Sequence, residues 1–197
     1  MDREELLRKY AAGERDFTGV DHKWIDLSGV NLEGANLKGA KFRIPQLTKI
    51  NFSRANLEGV RFGGGIRFIK TNFVKAKLRG ASFGHGTLID SDFTGADLQE
   101  VEIGPGVIER CNLNKANWNR GDIWQCDFID CNMIGIKFRK MRLDEMGFTR
   151  CNFTGADFKG IDTPNARLIE VTMPDGSFLE KGTTYLGISD PFAPFRT

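Results

Sequence analysis

The feature that most constrains the fold is a strict five-residue period that runs from Phe68 to Leu168. Every fifth residue of this stretch is large and apolar, with Thr163 as the one exception. A second column, two residues before the first, is mostly small or apolar, and the positions between the two columns are mostly polar. This period differs from the period of about 3.6 that marks a helix and from the period of about two that marks an ordinary strand.

Two inward positions in every five residues dictate how such a chain folds. Both must point into one interior while the other three face water, so the chain has to turn inward at short, regular intervals. A chain that does this coils, and each coil covers the interior of the next. The repeat therefore predicts a solenoid before any local propensity is considered.

The repeat also carries a recognisable motif. Four segments follow the pattern A(D/N)(L/F)xx: Ala35–Gly39, Ala55–Gly59, Ala96–Leu98 and Ala156–Gly160. They resemble the pentapeptide-repeat family, and residues 6–17 are similar to the N-terminal caps of its cyanobacterial members. The resemblance extends over about residues 17–171. It implies an all-β fold, a right-handed quadrilateral β-helix with four pentapeptides in each coil and therefore a structural repeat of twenty residues.

Three segments follow from the pattern. Residues 1–16 are predicted to form an N-terminal cap helix with an apolar face. Residues 17–171 are predicted to form the β-helix, in which residues 63–65, all glycine, accommodate one extra residue as a bulge at a corner. A phosphate-binding glycine loop is the disfavoured alternative there, because no GK[ST] follows. Residues 172–197 are predicted to cap the C-terminal end as a tail or to form a homodimer contact.

Composition excludes several classes of protein. The chain has 197 residues, 40% of them hydrophobic, which suffices for one continuous core. Its formal net charge of +2 gives no global field that would select nucleic acid or an acidic partner. No apolar run is long enough for a membrane span, and the charged N-terminus is unlike a secretory signal. The expected location is the cytoplasm.

The side chains that carry chemistry do not form a recognisable reactive site. All four cysteines fall in the small inward column: Cys111, Cys126, Cys131 and Cys151. A thiolate metal site or a disulfide is the alternative reading, but CxxC spacing is absent, so buried apolar cysteine is favoured. The two histidines, His22 and His85, match no catalytic arrangement. We therefore predict that the chain is not an enzyme and holds no metal or cofactor.

With a repeat of twenty residues, the outward positions can be sorted into four faces. The basic face surrounds the inward residues from Leu78 to Phe158, and its cations are Lys77, Arg79, Arg120, Lys137, Arg139, Lys140 and Lys159. Three acids oppose them, namely Asp97, Glu100 and Asp157. The acidic face, next along the chain, carries Glu102, Asp122, Asp144, Glu145 and Asp162 against Arg142, with Trp124 also pointing outward. The molecule is therefore predicted to be polarised sideways.

The other two faces have patterns of their own. The asparagine face is named for a nearly uncharged column, Asn72, Asp92, Asn112, Asn132 and Asn152, whose amides we expect to bond along the coil axis. The ladder face carries charges that alternate in sign, one per coil: Lys70, Asp90, Arg110, Asp130, Arg150 and Glu170. We predict contacts of about 4 Å or less between most neighbours of this ladder. Beside it runs a stripe of Ile69, Ile89, Ile129 and Ile169, explained either by β-branched preference or by a partner.

Three classes of function remain open at this point. The first is a rigid scaffold that binds an unidentified protein partner, and this is the predicted function. The second, which the resemblance implies for some family members, is mimicry of DNA to bind a type II topoisomerase such as gyrase; a net charge of +2 argues against it. The third is binding of an anionic partner through the basic face, although DNA or a membrane surface is not expected. The candidate interaction surface comprises the basic-face cations, the isoleucine stripe and Trp124.

Overall fold

The computed structural model describes residues 1–23, 25–162, 166–180, 183–184 and 193–195. Within these residues the chain forms one helix, α1 (Arg3–Ala11), and a series of very short strands. In chain order these are β1 (Asp21–Lys23), β2 (Lys41–Arg43), β3 (Gln46–Thr48), β4 (Arg61–Phe62), β5 (Arg67–Ile69), β6 (Ser82–Gly84), β7 (Thr87–Ile89), β8 (Glu102–Ile103), β9 (Gly106–Glu109), β10 (Asp122–Trp124), β11 (Cys126–Ile129), β12 (Arg142–Asp144), β13 (Gly147–Thr149), β14 (Arg167–Ile169), β15 (Val171–Thr172), β16 (Phe178–Leu179) and β17 (Thr183–Thr184). A 3₁₀ turn covers Ala193–Phe195.

Stacked coils give the molecule four sides. On two sides the strands pair in parallel, as the sheets β1-β2-β4-β6-β8-β10-β12 and β3-β5-β7-β9-β11-β13-β14. On the other two sides each coil meets the next through single bridges such as Asn112↔Asn132 and Asn117↔Lys137. Bridged residues beyond the first coils are twenty apart, so four pentapeptides make one coil. The predicted four-sided β-helix is confirmed.

Large side chains fill the interior in columns. Phe73, Phe93, Leu113, Met133 and Phe153 are each at most 1% exposed and belong to one continuous core. Rings of successive coils stack, with 4.6 Å between the ring centroids of Phe73 and Phe93. The predicted interior column is therefore confirmed. Aromatic and aliphatic side chains can stack on side chains of the same kind because the repeat places them at the same point of every coil.

Helix α1 packs over the N-terminal end of the solenoid. The carboxylate of Asp2 accepts a hydrogen bond from the amide of Glu5 (2.8 Å) and caps the helix. Leu6 is fully buried in the core, and the hydroxyl of Tyr10 donates to the backbone oxygen of Glu33 (2.8 Å). The predicted short capping helix is confirmed, and it shields apolar surface that an open coil would expose to water.

One coil contains an extra residue, and the backbone register records it. Lys41 pairs with Arg61, twenty residues on, whereas Leu47 pairs with Phe68, twenty-one residues on. The additional residue lies in the turn between β4 and β5. Gly65 there adopts φ +77°, a conformation that favours glycine.

Two short strands near the C-terminus end the parallel stacking of the solenoid. β17 pairs antiparallel with β14, and β16 pairs antiparallel with β15, so the parallel stacking ends there. Leu179 and Phe195 pack against the core, whereas Phe178 is 61% exposed. The apolar tail residues Tyr185, Leu186, Ile188 and Phe192 lie outside the described residues. Within the described residues, no helical segment has the length and hydropathy that a membrane span requires.

Candidate functional site: the outer faces

The residue before each large inward side chain stabilises the turn that follows it, and this role limits which side chains the outer faces can carry. On the asparagine face the side-chain oxygen of Asn72 accepts from the amide of Val74 (2.9 Å), and that of Asp92 accepts from Thr94 (2.8 Å). An Asn or Asp that bonds the amide two residues on stabilises a tight turn. Among the described residues no side-chain hydrogen bond joins one member of this column to the next, so the predicted axial ladder of amides is wrong here. One such bond, from the Asn51 amide group to the Asn31 oxygen (2.9 Å), precedes it.

On the basic face this turn-stabilising position is filled by a lysine in two coils, at Lys77 and at Lys137. Lys137 has no side-chain oxygen to offer, so the amide of Arg139 bonds instead to the side-chain oxygen of Asn119 in the preceding coil (3.0 Å). Asn119 thereby allows Lys137 to point its ammonium group into water. Sequence reasoning missed this role, although Asn119 directly after Trp118, in addition to Asn117 directly before it, was the available signal.

Charges on the ladder face lie at a corner of the coil and form pairs. All six ladder residues have φ between 50° and 55°. The guanidinium Nε of Arg110 lies 2.6 Å from Oδ1 of Asp90, and that of Arg150 lies 2.5 Å from Oδ1 of Asp130. Each arginine holds the pKa of its carboxyl below the ordinary value, mainly through the hydrogen bond.

The predicted contact between most neighbours of the ladder is wrong, because ion pairs form at only two of its five steps among these described residues. Each guanidinium turns its fork toward the coil before it. In that orientation it cannot also reach the carboxylate of the coil after it. Arg110 additionally contacts Glu109 within its own coil. The ladder thus consists of two separate ion pairs, with Lys70 and Glu170 at its ends. Between one pair and the next charged residue of the ladder, the attraction acts only at longer range.

The cations of the basic face do not form one continuous surface. Arg79 is bonded to Glu100 (2.8 Å), and Arg139 is bonded to Asp157 (2.6 Å). Each arginine lowers the pKa of its partner carboxyl. Lys77 is separated from Lys137 by two coils, since the bridges run through Asp97 and Asn117. The face is therefore divided by an acidic coil.

What remains is a compact group of cations in the C-terminal half. The basic patch consists of Arg120, Lys137, Lys140 and Lys159. All four are exposed, and none has an ion pair within 4.0 Å among the described residues. Backbone hydrogen bonds place them in three successive coils, from the amide of Arg120 to Arg139 (2.9 Å) and from that of Lys140 to Lys159 (3.1 Å).

Trp124 and the isoleucine stripe are less available to a partner than the sequence suggests. Trp124 is half-buried because its ring lies over Gly104, where an added Cβ would come within 2.9 Å of it. The stripe is interrupted, since the paired strands place Glu109 between Ile89 and Ile129. Its four isoleucines are half-buried. The side chain of Arg142 on the acidic face lies outside the described side chains.

Cysteine thiols are held inside the solenoid. All four are buried and not joined in disulfides. The Sγ of Cys131 donates to the backbone oxygen of Ile108 (3.2 Å), and that of Cys151 donates to Phe128 (3.4 Å). Burial raises the pKa of Cys111 and raises that of Cys126 to about 12, which makes a reactive thiolate unfavourable. The described residues contain no group of three potential metal ligands.

Two family models match the sequence. One describes pentapeptide repeats in eight copies and matches residues 16–43, 46–84 and 71–103. The other describes a pentapeptide repeat region and matches residues 107–178. Together they cover most of the chain. Among curated proteins, none matches this sequence.

Solved structures that are similar to this chain include those of HetL and Rfr23, both pentapeptide repeat proteins, and of QnrB1. HetL, involved in heterocyst differentiation regulation in the cyanobacterium Nostoc sp. strain PCC 7120, is 22% identical, with 91% of this chain and 100% of that chain covered and a TM-score of 0.35. Full-length QnrB1, a plasmid-mediated fluoroquinolone resistance protein, is 16% identical over 78% of this chain and 93% of its own, with a TM-score of 0.39. Rfr23, from the cyanobacterium Cyanothece 51142, is 15% identical over 65% and 92%, with a TM-score of 0.24.

Proposed function

The chain belongs to the pentapeptide repeat family, and from that premise we propose that it is a non-enzymatic, rigid scaffold that binds a protein partner through its outer faces. The interior supports this proposal. Its thiols are buried and hydrogen-bonded to backbone oxygens, so the groups that carry covalent chemistry are withdrawn from solvent. The side chains that differ in charge and polarity from coil to coil are those on the outer faces.

One observation carries the proposal: the basic patch holds cations that the solenoid does not use. Elsewhere on the same face Lys38 is paired with Glu58 (3.0 Å) and Arg79 with Glu100 (2.8 Å). The four patch residues have no such pair among the described residues. Surface charges without an intramolecular partner are available to select and orient another molecule.

Rigidity favours this role. Successive coils are joined by backbone hydrogen bonds at all four sides, for example from Phe93 to Asn112 (2.7 Å) and from Leu98 to Asn117 (2.8 Å). A surface built on such a frame loses little conformational entropy on binding, because its backbone is ordered beforehand. The expected cytoplasmic location and a homodimer contact at the C-terminal tail remain part of the same proposal.

Site-specific photocrosslinking in cells of the source organism tests the scaffold role. A photoreactive residue is placed at one outward position on each face: Lys159, Glu102, Ile134 and Ile129. A scaffold gives a discrete protein adduct from one or two of these faces, identified by mass spectrometry, and none without irradiation. If no position gives a discrete adduct while the protein is folded and abundant, the proposal is wrong.

The DNA-mimic function is the alternative, and the exposed carboxylates Glu102, Asp122 and Asp162 of the acidic face are what favours it. Recognition by a DNA-binding surface depends on densely spaced negative charge, which a chain of net charge +2 lacks. We expect no inhibition in a gyrase supercoiling assay with the protein at stoichiometric excess. Inhibition that disappears on changing Glu102 and Asp122 to lysine would replace the scaffold proposal with this one.

A further inference from the structure

We propose that the basic patch of Arg120, Lys137, Lys140 and Lys159 is a docking site for an extended, acidic segment of a protein partner. The inference rests on the proposed scaffold function and adds to it the surface and the chemistry of the partner. It is carried by three features of the structure: the stacking of like charges, the small size of the patch, and the acidic face beside it.

The patch contains a stacked pair of like charges, which costs stability. The hydrogen bonds between successive coils place Arg120 beside Lys140 at one corner. Along the face Lys159 lies beside Arg139, which Asp157 neutralises, and Lys137 lies beside Asp157 itself. Stacked strands are about 4.8 Å apart, and like charges directly opposite one another are destabilising. The ladder face avoids this by alternating the sign of its charges. A cluster that the fold would be more stable without is explained by a negatively charged ligand.

The patch also has definite dimensions. It covers three coils, about 10 Å along the axis, and one side of the solenoid, where three extended residues span roughly 10 Å. At its centre Arg139 is neutralised by Asp157 (2.6 Å). The four unpaired cations of the patch therefore surround this ion pair. An extended peptide repeats its side chains on one edge every ~7 Å and can therefore meet the patch with two or three carboxylates.

Neighbouring acids disfavour a nucleic acid duplex. Asp122 and Asp162, both exposed, follow Arg120 and Lys159 by only two or three residues and lie on the adjoining acidic face. A double helix has grooves about 12 and 6 Å wide, so its backbone would extend beyond the patch over these carboxylates. Repulsion acts across about 8 Å at physiological ionic strength. A single extended segment is narrow enough to remain over the cations.

Two charge-reversal variants of the full chain test the docking site. The first is Lys137→Glu with Lys140→Glu. The matched control is Lys77→Glu with Lys75→Glu, because Lys77 lies in the same column as Lys137 and Lys75 has nearly the same φ as Lys140 (57° and 54°). Both variants have the same net charge. The probe is a fluorescent peptide of about eight glutamates, with a glutamine peptide of equal length as the neutral reference.

We expect the glutamate peptide to bind the wild type at about 150 mM salt and the patch variant about tenfold more weakly. The control variant should bind within about twofold of the wild type, and the glutamine peptide should not bind. Equal weakening in both variants would overturn the proposal, because net charge alone would then explain binding. Tighter binding of a 20-base-pair duplex than of the peptide would overturn it in favour of nucleic acid.

A second copy of the chain is the other occupant that the test must separate. Sedimentation velocity that shows a dimer in the wild type but not in the patch variant would overturn the acidic-segment proposal. The scaffold function can still hold when this inference fails: photocrosslinks that arise from Glu102 or Ile129 but not from Lys159 would refute the docking site alone. Failure of the scaffold function would instead remove crosslinks from every face.

Discussion

The ladder face and the basic patch are built on the same backbone, yet they treat charge in opposite ways. Both place side chains at corners with positive φ, 50° at Arg110 and 54° at Lys140. Arg110 finds the carboxylate of Asp90 in the preceding coil (2.6 Å), whereas Lys140 has Arg120 in the preceding coil and Lys159 in the following coil. The difference shows that coil stacking tolerates either arrangement, because the hydrogen-bonded backbone and the apolar interior hold the coils together.

The largest effects should come from the interior, where the two faces do not differ. Trp118 lies under the basic face and Phe128 under the ladder face, and both are at most 2% exposed. Trp118→Ala and Phe128→Ala should each lower the free energy of unfolding by roughly 3–5 kcal/mol, because each leaves a cavity in a packed column. Denaturant unfolding measures this. A loss below about 1 kcal/mol at either site would mean that packing is not what holds the coils.

Charge reversal at the two corners should change stability in opposite directions. Arg110→Glu removes an ion pair and adds an acid beside Asp90, Glu109 and Asp130, so the melting temperature should fall, and by more than for Arg79→Glu. Lys140→Glu removes repulsion from its stacked cations, so the melting temperature should rise. Glutamate is tolerated in this backbone conformation, as Glu100 (φ 58°) and Glu145 (φ 52°) show. Differential scanning calorimetry would contradict the comparison if both variants shifted in the same direction.

Acidic pH should produce the smallest effect, and the two ion pairs of the ladder face should account for a measurable part of it. Arg110 and Arg150 hold the pKa of Asp90 and Asp130 below the ordinary value of 3.8. A carboxyl whose pKa is lowered in the folded state stabilises it above its unfolded pKa, and that contribution is lost as pH falls through the lowered value. Stability should therefore decline below about pH 4, and less steeply in Asp90→Asn with Asp130→Asn. An unchanged slope in that variant would show that these pairs do not contribute.

The inside and outside of the solenoid could be read from the sequence almost residue by residue. A five-residue period places each large side chain in the interior, and residues as different as Trp118 and Met133 obey it. The candidate surface was predictable only as a set of outward positions. Whether Arg79 and Arg139 are free or paired depends on which rotamers reach Glu100 and Asp157 in the adjacent coil. That information is not contained in the period.

The sequence by itself determined the coil. The five-residue period fixes which side chains point inward, and the backbone groups must then find their hydrogen-bond partners in the neighbouring coils. What the tertiary structure decided is the partnership of the outward groups. Asn72 turns its oxygen to the local amide of Val74. The guanidinium of Arg110 turns to Asp90 in the preceding coil rather than to Asp130 in the following one. Both choices depend on small differences in the positions of the competing partners, since a hydrogen bond weakens steeply as its distance and angle depart from the ideal. The same distances leave four cations of the basic patch facing solvent.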